Sequence, residues 1–196
     1  LGCAGVVWSF GHSGAEIARG LESLPQVPGR LERVPLPEGH PSVLIDYAHT
    51  PDALQRALAA LRPLLRGDLV VVFGAGGDCV RENELLDKEV MEKRPEMGRI
   101  AAEGADRIIV TSDNPRTENP ALIADEIEAG MGDAPRQRIL DRRAAIRDAI
   151  LNSAPDDIVL LAGKGHETYQ IRGTEKLPFD ERVVIREILS EIGEKC

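Results

Sequence analysis

The stretch DLVVVFGAGGD, residues 68–78, decides the fold class of this chain. Its run LVVVF is apolar without alternation, which is typical of a strand buried on both faces of a parallel sheet. The glycines that follow allow the main chain to turn sharply and to approach other groups closely. A buried strand that is followed directly by a glycine-rich loop therefore predicts one repeat unit of an α/β domain.

The same unit recurs on both sides of this stretch. Further strands are predicted in SVLIDYA, DRIIV, RQRILD and DIVLL. Amphipathic helices are predicted between them, over residues 51–65, 94–105, 119–131 and 142–154. Residues 168–179 are expected to form a hairpin with its turn near Gly173, and residues 180–193 a final helix. The pattern predicts an α/β fold: a Rossmann-like, mainly parallel sheet with helices on both faces, plus a C-terminal hairpin and helix.

The first forty or so residues are organised differently from this body. The opening LGCAGVVWSFGHSG is apolar but lacks the basic region of a signal peptide, and we expect it to form a buried helix. GAEIARGLESL, residues 14–24, has helical spacing of its apolar residues. PQVPGRLERVPLPEGHP, residues 25–41, holds five prolines, which predicts a linker or a boundary. We divide the chain into a head with its linker, residues 1–33, and a body, residues 34–196.

The composition excludes several functional classes. A net charge of −9 argues against a nucleic-acid surface, which needs a basic stripe, and 3% aromatic residues argue against base-stacking platforms. No apolar run is long enough to span a membrane. The three cysteines are far apart without metal-ligand spacing, and this usage fits a reducing compartment. We therefore expect a cytoplasmic protein without nucleic-acid or membrane partners.

Polar motifs follow four of the predicted strands: DYAHTPD, FGAGGD, TSDNPR and GKGHET. The carboxyl ends of parallel strands meet at one edge of a sheet, where such folds bind their ligands. We therefore expect these four segments, which we call the exits of their strands, to lie together. TSDNPR places an acid, an amide and a guanidinium (Asp113, Asn114 and Arg116) around a proline. That set suits a small, doubly charged ligand.

Each exit also has a purely structural interpretation. Asp46 or Thr50 would cap the helix that follows, and Asp113 and Asn114 would start a turn. FGAGGD matches neither the phosphate loop nor a full dinucleotide fingerprint. Lys164, between two glycines, would be a solvated charge on a tight turn. The sequence has no Gly-x-Ser-x-Gly or His-Glu-x-x-His motif, and its four histidines lack metal-ligand spacing, so we assign neither a catalytic residue nor a metal site.

Six motifs in a fixed order resemble the C-terminal part of the Mur ligase family. They are PGRLERV, LIDYAHTPDAL, VFGAGGD, KRPEMGRIA, TSDNPRTENP and LLAGKGHETYQ, and they cover nearly the whole chain. The resemblance is greatest to members that add meso-diaminopimelate to UDP-N-acetylmuramoyl-L-alanyl-D-glutamate, the UDP-muramoyl dipeptide, in peptidoglycan synthesis. Such ligases activate a carboxylate with ATP as an acyl phosphate, which the incoming amine attacks to form an amide.

The resemblance implies roles for particular residues of this chain. Arg30, Asp46 and His49 would contact the nucleotide. The far end of meso-diaminopimelate, a carboxylate and an ammonium group, would be bound by Arg94, Asp113, Asn114, Arg116, Gly163 and Glu167. Guanidinium groups pair well with a carboxylate, and Glu167 supplies the charge opposite an ammonium. A relative that adds lysine has no far carboxylate and would have no use for Arg116.

Two departures from the family pattern have consequences. The sequence lacks the UDP-binding region and nearly all of the ATPase region, including the phosphate loop, so ATP and magnesium would be bound mainly outside it. The head would be a remnant of the central ATPase domain, and this chain alone would be inactive. CVRENELLDKEVME, residues 79–92, is longer and more acidic than the corresponding link of the family, with a helix expected over ENELLDKEVMEK, and it bears on the position of Arg94.

Two other functions stay open at this point. The chain could be a stand-alone binding module, which holds the amino acid or a partner without catalysis. It could also belong to a related amide ligase with another amino-acid substrate, such as a folylpolyglutamate or cyanophycin synthetase. The combination of DNPR with GKGHE argues against that second alternative.

Overall fold

A six-stranded sheet forms the centre of the fold in the computed structural model, which describes residues 2–78 and 84–193. Its strands are β1 (Glu32–Val34), β2 (Ser42–Asp46), β3 (Leu69–Phe73), β4 (Arg107–Val110), β5 (Arg136–Arg138) and β6 (Ile158–Ala162). Their order is β1-β2-β6-β3-β4-β5, in which β1 is antiparallel to β2 and the other neighbours are parallel. A separate antiparallel hairpin consists of β7 (Tyr169–Arg172) and β8 (Glu175–Pro178).

The described residues contain seven α-helices, five of which cover the two faces of the sheet. They are α1 (Gly2–Ser9), α2 (Gly14–Glu22), α3 (Pro51–Leu61) with a 3-10 turn (Arg62–Leu64), α4 (Glu84–Gly104), α5 (Pro120–Ala129), α6 (Arg142–Leu151) and α7 (Glu181–Glu191). Buried residues of α3, α4 and α5 pack with Leu69, Val71 and Phe73 on one face, and those of α6 and α7 pack with Val70 and Val72 on the other. Successive strand residues point to opposite faces, so burial on both sides explains the uninterrupted apolar run.

The fold class predicted from the sequence is confirmed. The strands and helices predicted in the body are present, and the hairpin turns at Gly173, whose φ is 60°. The segment predicted as a linker differs from the expectation, because its residues Glu32–Val34 form the edge strand β1 against β2. The helix expected from residue 82 is present from Glu84, as the start of α4, while residues 79–83 lie outside the described part of the chain.

The head is helical, but the expectation that its opening helix is buried is wrong. Trp8 is 69% exposed and Phe10 79% exposed, and α2 contains no buried residue. Among the described residues, neither hydrophobic cluster of the sheet contains a residue of α1 or α2, so the head does not pack into the core.

We expect amide hydrogen exchange to be fastest in the head. α2 is stabilised locally, by a capping box between Ser13 and Glu16, and short helices without tertiary packing open readily. The residues of β3 and β6 are all buried and should exchange slowest. Hydrogen–deuterium exchange resolved by peptide checks this order, and stronger protection of α2 than of β3 would contradict it.

Capping side chains fix where the helices after the exits begin. The Thr50 hydroxyl accepts a hydrogen bond from the Ala53 N–H at 3.3 Å at the start of α3. Asn119, Asp141 and Asp180 cap α5, α6 and α7 in the same way. Satisfying the first-turn N–H groups sets the length of each exit. Because Thr50 is the cap of α3, the Asp46 carboxylate is available for another contact.

A buried ion pair connects α6 and α7 to the end of β6. Arg142 is fully buried, and its Nε and Nη2 each lie 2.8 Å from Oε1 of Glu181. Nη2 also donates to the carbonyl of Ala162, the last residue of β6, at 2.9 Å. Arg142 Nη1 and Glu181 Oε2 have no hydrogen-bond partner among the described residues. The pair therefore ties two helix N-termini to the strand end that precedes Gly163.

Candidate functional site

The exits of four strands lie side by side, as the sequence predicts. β2, β6, β3 and β4 are consecutive in the sheet, so their carboxyl ends share one edge. The Gly163 N–H donates to the Asp46 carbonyl at 3.0 Å, which links the exits of β6 and β2. The Gly77 N–H donates to the Asn114 carbonyl at 2.9 Å, which links the exits of β3 and β4. We call these four exits, residues 46–50, 74–78, 111–116 and 163–167, the exit frame.

Glycine is required where the exits touch. A Cβ atom on Gly77 would lie 1.9 Å from the Pro115 carbonyl oxygen, and one on Gly165 would lie 2.6 Å from Cβ of Tyr47. Gly29, which precedes β1, would place a Cβ 2.3 Å from the carbonyl carbon of Gly165. Side chains at these positions would push the loops apart, so the exit frame packs main chain against main chain.

Lys164 is the centre of a buried polar cluster. Its side chain is fully buried, and its Nζ lies 3.2 Å from Asp113 Oδ1, 3.1 Å from Asn114 Oδ1 and 3.3 Å from Glu167 Oε2. The interpretation of Lys164 as a solvated charge is therefore wrong. Three residues predicted to bind the amino acid are brought together by a residue to which no role was assigned from the sequence. The two flanking glycines, which permit close packing of this loop, were the available signal.

The orientation of the Asn114 amide is set by its neighbours. Its Oδ1 accepts from Lys164 Nζ and, at 3.0 Å, from the Ile171 N–H. Its Nδ2 therefore faces Glu167, donating to Oε2 at 2.9 Å. The second N–H of Nδ2 and the Oε1 atom of Glu167 have no partner among the described residues. A donor and an anionic acceptor thus remain free on adjacent side chains.

The hairpin β7–β8 holds the DNPR turn in place. The Arg116 N–H donates to the Ile171 carbonyl at 3.1 Å, and the Gly173 N–H donates to the Arg116 carbonyl at 2.7 Å. Gln170 Nε2 also donates to the Asp113 carbonyl at 2.8 Å. These bonds keep Arg116 in the left-handed region at φ 52°, which is uncommon for residues other than glycine and asparagine. The predicted turn is thus fixed by a hairpin that is distant in sequence.

Arg116 is an exposed residue of the same turn as Asn114. Its Nη1 donates to the Gly77 carbonyl at 2.6 Å, which anchors the side chain across the exit of β3. Nε and Nη2 of Arg116 have no partner among the described residues. These donors are available to an anionic ligand.

Arg94 lies in a different environment, inside α4 and 5% exposed. Its Nη1 lies 2.9 Å from both Glu118 and Glu126, and its Nη2 donates to the Gly76 carbonyl at 2.9 Å. Although burial alone would lower it, the pKa of Arg94 is raised by these two carboxylates. For Glu118, burial alone would raise the pKa of the carboxyl, but the hydrogen bonds from Arg94 and from the Asp78 N–H lower it. Arg94 is therefore engaged with protein carboxylates in this arrangement.

The three residues predicted to bind the nucleotide gather around Tyr47. The Arg30 guanidinium lies 5.2 Å from the centroid of the Tyr47 ring, and the His49 ring lies 4.4 Å from it. Nδ1 of His49 lies 2.9 Å from the Tyr47 carbonyl oxygen. Asp46 Oδ2 accepts from the Leu31 N–H at 2.7 Å, which joins the exit of β2 to the segment before β1.

Sequence reasoning missed Tyr47 and His166. The His166 ring lies 5.2 Å from the Tyr47 ring, so an aromatic patch is formed by Tyr47, His49 and His166. Both missed residues lie within exit motifs, which was the only signal available. The exit of β6 thus supplies residues to two clusters, His166 to the aromatic patch and Lys164 with Glu167 to the polar cluster.

Neither a metal site nor a membrane span is found in residues 2–78 and 84–193. No group of three or more His, Cys, Asp or Glu side chains there is arranged to hold a metal ion. No helix there is long and apolar enough to cross a membrane.

The fold and the exit frame define a Rossmann-like α/β domain with a mixed-charge polar cluster at the carboxyl edge of its sheet. The family model described as "Mur ligase, glutamate ligase domain" matches residues 29–165, so the chain belongs to that family. This membership confirms the family resemblance inferred from the motifs.

Relatives and a solved structure agree with this membership. The UDP-N-acetylmuramoyl-L-alanyl-D-glutamate--2,6-diaminopimelate ligase of Trichormus variabilis is 50% identical over 193 residues, or 97% of this chain and 37% of the relative. The ligase of the same name from Synechococcus sp. (strain WH7803) is 53% identical over 167 residues, or 83% and 32%. A solved structure of a ligase of that name superposes with a TM-score of 0.75 at 33% identity, covering 98% of this chain and 37% of that one. The chain therefore spans about a third of the length of these relatives.

Proposed function

We propose that this chain is the C-terminal, amino-acid-binding and nucleotide-closing part of an ATP-dependent ligase. The ligase would add meso-diaminopimelate to UDP-N-acetylmuramoyl-L-alanyl-D-glutamate during peptidoglycan synthesis in the cytoplasm. The observation that supports this most is that a free donor on Asn114 lies beside a free acceptor on Glu167, while Arg116, in the same turn as Asn114, keeps two further free donors. The far end of meso-diaminopimelate is a zwitterion, so it needs both.

The far carboxylate is assigned to Arg116 and Asn114. Arg116 offers Nε and Nη2, and a planar guanidinium can bind a carboxylate through two parallel hydrogen bonds. Asn114 offers its second amide N–H. Arg94 supports the exit of β3 through the Gly76 carbonyl, and it would bind the carboxylate only by giving up one of its two carboxylate partners, Glu118 or Glu126.

The far ammonium is assigned to Glu167 and Gly163. Oε1 of Glu167 supplies a negative charge, and the Gly163 carbonyl supplies a neutral acceptor. Gly163 has φ 116°, and a Cβ there would lie 3.3 Å from Asp113 Oδ2, so a side chain would crowd this position. Asp113 belongs to the site through its bond to Lys164.

The nucleotide is assigned to the group of residues around Tyr47. Arg30 is exposed and suits a phosphate, while Asp46 has an oxygen, Oδ1, that can accept from a ribose hydroxyl. His49 and Tyr47 offer ring faces beside them. ATP is a substrate in this scheme. Magnesium is assigned no site here, because the described residues contain no group of ligands for it.

The proposed reaction forms one amide bond. The γ-phosphoryl group of ATP passes to the glutamyl carboxylate, which gives an acyl phosphate and ADP. An amine of meso-diaminopimelate attacks the acyl carbon, loses a proton and displaces inorganic phosphate. The residues of this chain act by binding the far end of the amino acid, which orients the near amine toward the acyl carbon.

Steady-state ADP release by the full-length product of the gene that encodes these residues tests the proposal. We expect release to depend on both UDP-muramoyl dipeptide and meso-diaminopimelate, with L-lysine a much poorer substrate. The 196-residue chain by itself should release no ADP, because its sequence holds no phosphate loop. A preference for lysine, or release without the dipeptide, would refute the assignment. Binding of meso-diaminopimelate without any ligation by the full-length protein would favour the binding-module alternative.

A further inference from the structure

We propose that Lys164 is a positioning residue that sets the amino-acid specificity of the site without touching the substrate. The inference rests on the proposed function, because it concerns the residues assigned there to the far end of the amino acid. Lys164 is the only lysine among the fully buried residues of the described chain, and it lies where the exits of β6 and β4 meet.

The ammonium of Lys164 has no donor left for a ligand. An ammonium group carries three N–H donors and no acceptor. Its three acceptors are Asp113 Oδ1, Asn114 Oδ1 and Glu167 Oε2, all within 3.3 Å. The ring of Tyr169 lies 5.9 Å from Nζ. Lys164 therefore acts through its partners.

Its first effect is on the Asn114 amide. Both bonds to Oδ1 of Asn114 come from donors, Lys164 Nζ and the Ile171 N–H, so the amide cannot rotate by half a turn without placing its NH2 group against them. Nδ2 is thereby kept toward Glu167 and toward the space beside it. Without the lysine, one of the two contacts that define this orientation is lost.

Its second effect is on the charge of the cluster. Asp113 and Glu167 are two carboxylates that share one ammonium, which leaves a single net negative charge. Asp113 is 6% exposed, so its charge would be costly to keep without a partner. Nearby carboxylates that lose their shared cation repel each other, and Glu167 would turn away toward solvent. With Lys164 present, Glu167 stays in place with Oε1 free for the ligand's ammonium.

Lys164→Met in the full-length ligase tests the proposal, since methionine has a similar length and no charge. We expect the KM for meso-diaminopimelate to rise roughly tenfold or more, because an oriented donor and an oriented acceptor are both lost. The KM for ATP should change by less than about twofold, which corresponds to about 0.4 kcal/mol. The preference for meso-diaminopimelate over L-lysine should fall. Arg66→Met is the control for the loss of a cation, because Arg66 is exposed, precedes β3 at the opposite end of the strands from the exit frame, and should leave all three quantities unchanged.

A second measurement, on the unsubstituted 196-residue chain, does not depend on the variant folding. A buried ammonium with three acceptors should give a slowly exchanging side-chain NH3⁺ signal in nitrogen-15 NMR, whereas exposed Lys176 should not. The Asn114 side-chain amide should show two well-separated proton shifts. A rapidly exchanging Lys164 ammonium would overturn the proposal, whatever the kinetics show.

The outcomes separate this inference from the proposed function. If the ligase ignores meso-diaminopimelate, the proposed function fails while the NMR signals still decide whether Lys164 orders the cluster. If the ligase uses meso-diaminopimelate and Lys164→Met leaves its KM and its preference over lysine unchanged, the positioning role is refuted. Equal rises in the KM for meso-diaminopimelate and the KM for ATP would also refute it, because they would indicate general damage to the domain.

Discussion

Arg142→Met should lower the free energy of unfolding by about 3–5 kcal/mol, the cost of leaving one partner of a buried ion pair alone. Arg142 and Glu181 are both at most 1% exposed, so water cannot replace the lost partner of the Glu181 carboxylate. The carbonyl of Ala162 would lose its donor in the same substitution. Chemical denaturation of the 196-residue chain, followed by circular dichroism, gives the free energy.

Two further variants make this test specific. Arg143→Met changes the next residue of α6, whose pairs with Glu187 and Glu191 are exposed, and should cost at most about 1 kcal/mol. The double variant Arg142→Met, Glu181→Met should recover most of the loss, because apolar replacement of a whole buried pair is often nearly neutral. The orphaned Nη1 and Oε2 atoms support this expectation, since the native pair is itself incompletely bonded. An equal loss in the single and double variants would mean that packing, not the unpaired charge, is responsible.

Arg116→Ala in the full-length ligase should weaken the use of meso-diaminopimelate by about 2–5 kcal/mol, or roughly 30-fold to several thousand-fold in kcat/KM. The free Nε and Nη2 donors that would bind the far carboxylate are removed. Arg116→Lys should restore little of the loss, because an ammonium cannot form the parallel pair of bonds. ATP dependence should be nearly intact. Steady-state kinetics that vary each substrate separately measure both.

Arg66→Ala is the matched control for this experiment. Arg66 is exposed and precedes β3, at the opposite end of the strands from the exit frame. Its replacement should leave both substrates unaffected. If Arg116→Ala altered only the ATP dependence, DNPR would not select the amino acid, and its residues would be a structural turn.

The sequence predicted the fold well because its main signals are local. Unbroken apolar runs, such as residues 69–73 and 158–162, specify strands buried on both faces, and the helices between them follow from spacing and caps. Two features escaped this reasoning. The edge strand Glu32–Val34 lies among prolines and gains its order from pairing with β2. The head carries apolar residues that local patterning would bury, but burial depends on a surface that spacing does not reveal.

The candidate site was predictable as a location and less so as a set of contacts. That DYAHTPD, FGAGGD, TSDNPR and GKGHET would meet follows from the rule for parallel strands. The burial of Lys164 does not follow, because a lysine between glycines is usually solvated and two of its three partners come from an exit about 50 residues away. The pairing of Arg94 with Glu118 and Glu126 is likewise a tertiary contact. The roles assigned to the site residues stay predictions until the variants are measured.

The exit frame has a consequence for redesign of this domain. Its loops are joined by bonds between backbone atoms, such as those of Gly163 with Asp46 and of Gly77 with Asn114, and by contacts that only glycines allow. Such joints do not depend on which side chains the loops display, so the scaffold should survive exchange of the residues that read the ligand. Lys164 and Asn114 are exceptions, since their side chains join the exits of β6 and β4, and Arg116 adds one side-chain bond to the Gly77 carbonyl. A library aimed at a different amino acid should therefore randomise positions 116 and 167, with the loss of that one bond, and leave the glycines, Asn114 and Lys164 unchanged.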